Sequence, residues 1–148
     1  MYTFLKFLHL ASAVVWLGGM SFVLLALRPS LPVLEAPPQR LQLLAAVLRR
    51  FFAAVWAAIG LLLLSGAYMY GHAGAQAAPL GWHLMSGIGV LMFLIYGHLY
   101  FAPYRQLQQA VAAADWPAAA ARAQAIALLV RINFVLGWLA LAAITFFS

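Results

Sequence analysis

Residues 51–70 read FFAAVWAAIGLLLLSGAYMY, with no charge among them, and Arg49-Arg50 stands directly before. A helix of ~20 apolar residues matches the ~30 Å hydrocarbon core of a bilayer. The stretch does not alternate apolar and polar residues, and alanine and leucine dominate it, which favours a helix over a barrel strand. Working outward, three more stretches share this character. One runs from about Tyr2 to Leu27 and is closed by Arg28-Pro29, one from Pro79 to Ala102-Pro103, and one from Ile126 to Phe147. The predicted fold is all-α: a four-helix transmembrane bundle forming a single integral membrane domain over residues 1–148, with spans at about 2–27, 51–70, 79–102 and 126–147.

Composition excludes the alternatives. Hydrophobic residues make up 68% of the chain and charged ones 7%, whereas soluble domains carry roughly 25% charged residues. Such a chain cannot cover a water-facing surface. The absence of cysteine removes disulfides, thiolate metal sites and paired-cysteine redox chemistry. The net charge of +6 does not point to nucleic acid, because the basic residues are scattered and never interleave with aromatics in a run. A signal peptide ending at Ala11-Ser12-Ala13 competes for the N-terminus. The apolar run before it is short and interrupted by His9, and apolar sequence continues past it, so a retained first helix is expected.

The charges also set an orientation. Arg28, Arg40, Arg49 and Arg50 face one Glu35 in the first connection, and Arg105, Arg122 and Arg131 face Asp115 in the third. Gly71 to Trp82 carries no Lys, Arg, Asp or Glu. The positive-inside rule puts the two arginine-rich connections in the cytoplasm, and both termini and the His72 loop on the periplasmic side. Lys6 dissents and is expected to snorkel. Pro37-Pro38 and Asp115-Trp116-Pro117 read as helix starts, so both connections should be helical extensions of the spans.

His9 precedes Pro29 by the same twenty positions that separate His83 from Pro103. Each pair belongs to a span followed by arginines and then by a span with a tryptophan, Trp56 or Trp138. This is the pattern of two parallel helical-hairpin repeats, although few other residues match at that offset.

Histidines carry the chemical signal, since ionisable side chains inside a membrane are costly and tend to mark function. His9, His72 and His83 fall toward the periplasmic face, with Met69 and Met85 close by in sequence. Imidazole suits copper, zinc and iron, and thioether favours Cu(I). The candidate metal ligands are thus His9, His83, His72 and Met85. Alternatively, His9 and His83 would clamp one b-type haem between two helices. Against these stand plainer readings: a loop residue for His72, and a hydrogen bond to a neighbouring helix for His9 and His83. His98, near the opposite end of its span, is expected to pair with Tyr104 or Asn133. Glycines at Gly18-Gly19 read as close-packing positions. No acidic residue lies inside a span, which argues against a carboxylate proton pump or a hard-cation site.

The run Phe7-Leu8-His9-Leu10-Ala11-Ser12-Ala13-Val14-Val15-Trp16-Leu17-Gly18-Gly19 resembles the opening helix of the copper-resistance D (CopD) family: a histidine, a small apolar stretch, and Trp-x-Gly-Gly. Arg50-Phe51-Phe52 leading to Leu64-Ser65-Gly66 is similar to that family's second helix. The resemblance implies a multi-pass protein of the bacterial inner membrane associated with copper uptake, transfer or tolerance. It makes a copper ion the expected cofactor, His9 the carried-over ligand, and a periplasmic copper protein a partner alongside the lipid bilayer. Homo-oligomers are left open.

A second resemblance is to the membrane-bound protoporphyrinogen oxidases of the haem pathway. They also open with a histidine seven residues before a tryptophan, here His9 and Trp16, and carry a Tyr-His pair that Tyr96-Gly97-His98 matches with an inserted glycine. Their Asn-Glu-x-Pro is absent, since Arg131-Ile132-Asn133-Phe134 has the asparagine and no glutamate. The reading is therefore copper handling with no catalytic residue assigned. Its alternative is a haem-binding membrane redox protein, and an enzyme here would be a haem-dependent oxidoreductase.

Overall fold

The structure, a computed structural model, describes residues 1–74 and 76–147. Four long helices account for nearly all of them: α1 (Tyr2–Val33), α2 (Pro37–Ala73), α3 (Leu80–Ala112) and α4 (Trp116–Phe146). No strand occurs among the described residues. At most 33% of the most apolar window of any helix is buried within the protein. Side chains such as Leu25, Leu64, Leu94 and Phe146 are 67% exposed or more. A surface this apolar requires lipid around it. The fold is the all-α, four-helix transmembrane arrangement expected, and the chain is a multi-pass membrane protein.

Short connections make successive helices antiparallel. α2 starts with Pro37-Pro38 in its first turn, as expected, because the absent proline N–H is not needed there. α4 starts on Asp115, whose carboxylate accepts the Ala118 N–H at 3.2 Å. α2 ends at Gly74, which takes a positive φ of 79°. Six of the seven arginines then fall toward one end of the bundle, Arg131 stands at the middle of α4, and Lys6 lies toward the other end.

The helix of the first span does not end at Arg28-Pro29, nor that of the third at Pro103. α1 continues through Arg28–Ser30 and a 3-10 turn at Leu31–Val33, and α3 continues to Ala112. Both use the same device. A π-helical turn, Val23–Leu27 before Pro29 and Tyr100–Tyr104 around Pro103, widens the helix next to the ring. A proline ring collides with the carbonyl four residues back in a regular helix, and a locally wider turn relieves that collision.

The helices pack chiefly as two hairpins, α1 with α2 and α3 with α4. The tightest core lies in the arginine-side half. Phe52, Tyr96 and Tyr104 are each at most 2% exposed there, with Phe52 and Tyr104 edge-to-face at 4.8 Å. The Tyr96 hydroxyl donates to the Phe52 carbonyl at 2.9 Å, so a buried phenol is satisfied by α2's backbone. Trp16 stacks on Phe93 at 5.6 Å and ties α1 to α3. Gly81 marks the other end: its N–H donates to Phe147 O at 2.9 Å, and an added Cβ would stand 2.7 Å from Ala143 O. Close approach of α3 and α4 depends on that missing side chain.

Candidate metal site between the first two helices

His9 lies on the face of α1 that meets α2. Its Nδ1 is 2.9 Å from Ser65 Oγ, and its Cε1 is 3.4 Å from where a Cβ on Gly66 would stand. Ser65 is 1% exposed. The same Oγ lies 2.5 Å from the Leu61 carbonyl oxygen. Two oxygens that close need a proton between them, and a serine has one to give. Ser65 therefore donates to Leu61 O and accepts from His9, so the His9 proton sits on Nδ1. Nε2 then carries a free lone pair, the form in which a neutral imidazole binds a metal.

Helical spacing extends this seam outward. Ser65, Met69 and His72 occupy positions i, i+4 and i+7 of α2, one face of a helix. Met69 is buried at 9% exposure, and the His72 ring lies 5.7 Å from Tyr2 and 6.0 Å from Tyr68. Tyr2 and His9 are likewise seven apart on α1. The seam thus has His9 with Ser65 as its inner rung and Tyr2 with His72 as its outer rung, about 10 Å apart at 1.5 Å per residue. Met69 lies between them.

His83 is placed differently. It is exposed on α3, and its Nδ1 bonds the Tyr70 hydroxyl of α2. Either partner can supply that proton, so the free nitrogen is not fixed. Ser65 and Tyr70 project from α2 about 140° apart at 3.6 residues per turn. The two histidines therefore engage different sides of the same helix. Met85, two residues on from His83, points about 160° away from it. Among the described residues no three His, Cys, Asp or Glu side chains gather as a metal-holding group. The physical reason is plain: His72 stands two turns further out, and His83 belongs to another seam.

His98 does not pair with Tyr104 or Asn133. Asn133 donates to Met92 O at 3.1 Å, and the Tyr104 hydroxyl accepts from Gln108 at 3.1 Å. His98 instead lines an exposed cleft between α3 and α4. The sequence reading places Met69 beside the cluster without counting it among the ligands, and gives Ser65 no part in the site. Their spacing from His72 was a usable signal, whereas the contact of Ser65 with His9 spans 56 positions and left none.

Imidazole and thioether without a carboxylate suit a soft or borderline cation, copper above all. A haem clamped by His9 and His83 does not fit, because its two axial ligands would have to reach one iron from different sides of α2.

No curated protein and no solved structure matches the chain. The family described as copper resistance protein D matches residues 45–147, well over half of its length. That match begins in α2 and takes in α3 and α4, so it is independent of the opening-helix motif around His9. With the four apolar helices, it makes this a multi-pass inner-membrane protein, and the chain belongs to the copper resistance protein D family.

Proposed function

We propose that the chain takes up or passes on copper through the α1–α2 seam, with His9 as the inner ligand. One observation carries this reading: the Ser65 hydroxyl gives its proton to Leu61 O and so leaves His9 Nε2 open. An imidazole whose other nitrogen is held by a hydrogen bond is the usual form of a histidine ligand. Met69 and His72 on the same face of α2 supply soft and borderline donors toward the outer end. The route would begin at His72, in the rim beside Tyr2, and lead past Met69 to His9. A periplasmic copper protein would load or unload the rim. The scarcity of basic residues at that end supports a periplasmic placement of the rim and of both termini.

The test is titration of the protein purified in detergent with Cu(I), or with Ag(I) as a redox-inert stand-in. Wild type should bind tightly, and His9→Ala should lose that binding while keeping its thermal unfolding profile. Tight binding unchanged in His9→Ala overturns the reading. A visible spectrum of the same preparation tests the haem alternative, and a Soret band retained through purification would favour it. Reporter fusions at the C-terminus check orientation, with a periplasmic signal expected.

A further inference from the structure

At the arginine-rich end, away from the seam, α3 and α4 part to leave a cleft of about 380 Å³. Two local features open it. Pro103 lies in the π-helical turn that widens α3, and Ala102 and Ala125 keep the walls thin. Its polar lining is Gln106, Arg122 and His98, and its apolar lining includes Leu128 and Leu129. These groups are sorted by depth. Gln106 and Arg122 stand at the polar ends of α3 and α4, beside the connection through Asp115. His98 lies eight residues deeper along α3, about 12 Å, and Leu129 seven residues deeper along α4, about 10 Å. The cleft therefore passes from a cation and an amide at its mouth to an imidazole and two leucines at one greater depth, over the distance separating a lipid phosphate from its upper acyl carbons.

Charge decides which amphiphile fits. The chain has two acidic residues, Glu35 and Asp115, and neither lines the cleft. The Asp115 carboxylate caps α4. Arg122 is exposed within a basic end of the molecule, where a headgroup of net negative charge is favoured over a zwitterionic one. We propose that this cleft binds an anionic phospholipid. Its phosphate lies on Arg122 and Gln106, and the upper part of an acyl chain lies between His98 on α3 and Leu128 and Leu129 on α4. A second cleft, lined by Arg49, Gln108 and Val111, has the cation and the amide but no leucine floor. Its apolar lining is three alanines and a valine, Ala45, Ala46, Ala112 and Val111.

The experiment is lipid retention by the detergent-purified chain under native mass spectrometry, after equilibration with dioleoylphosphatidylglycerol or dioleoylphosphatidylcholine. Wild type should retain the anionic lipid over the zwitterionic one by about fivefold or more, the effect of one well-placed arginine. Arg122→Gln should remove most of that preference. Arg50→Gln, which removes an exposed arginine lining neither cleft, should keep it. Ala125→Phe fills the groove without altering charge and should also lose the lipid. Excess inorganic phosphate should not displace it. Equal loss in Arg122→Gln and Arg50→Gln would mean diffuse charge attraction and overturn the site. So would displacement by free phosphate, retention in Ala125→Phe, or no preference between the two lipids.

Discussion

His9 and His83 stand the same twenty positions before a proline, in spans of similar character, yet the fold treats them differently. His9 meets a buried serine whose own proton is committed to a backbone carbonyl, so its tautomer is fixed and Nε2 is free. His83 meets a tyrosine at an exposed position, and the proton between them can belong to either. The residue 74 positions after Ser65 is Leu139, which has no acceptor to offer. The hairpin repeat, if it shaped the backbone, stops short of the chemistry. A histidine in a membrane becomes a prepared ligand through the partner of its other nitrogen, and placement at a given depth is not enough.

The sharpest way to break this comparison is to delete each imidazole in turn. His9→Ala should weaken Cu(I) or Ag(I) binding by more than about 100-fold, beyond the 10–100-fold expected of a supporting group. His83→Ala should leave the affinity at that site unchanged, and matching losses in isothermal titration would show that the two act together after all.

Removing the orienting hydroxyl comes next. Ser65→Ala should weaken metal binding by about 10- to 100-fold. It should also lower stability by about 1 kcal/mol, because the His9 N–H loses the hydroxyl and keeps only the Leu62 carbonyl. Ser65→Thr keeps the hydroxyl and should recover most of the affinity. If Ser65→Ala binds as wild type does, the tautomer argument is wrong even where His9 itself proves essential.

Smaller effects sharpen the route. Met69→Leu conserves volume and should cost less than about 1.5 kcal/mol in stability, while slowing metal transfer from the rim in stopped-flow exchange. His72→Ala should act on that rate and not on the final affinity. An unaltered rate in both would leave His9 without its proposed approach. The smallest effect is expected of His98→Ala, which lies toward the opposite end of the bundle and should leave copper stoichiometry as it is.

Much of this was legible in residue order, because a bilayer imposes one strong constraint. Every backbone group in the hydrocarbon must find its partner within the chain, so four uncharged runs become four helices. The helix starts at Pro37 and Asp115 were equally local, each set by one side chain or one absent N–H. The helix ends at Pro29 and Pro103 were misjudged for a physical reason. A proline forbids a regular turn, and the backbone answered with a wider one that no residue pattern announces.

The sequence by itself determined that the chain lives in a membrane, how many times it crosses, which end gathers the arginines, and which few side chains could bind a soft metal. Those follow from hydration cost and helix geometry, which act locally along the chain. Tertiary structure alone decided which partner each histidine meets. Ser65 reaches His9 across 56 positions because α1 and α2 pack face to face, and Tyr70 draws His83 to another side of α2. Hydrogen bonds between helices depend on which faces meet, and that is settled when the bundle assembles.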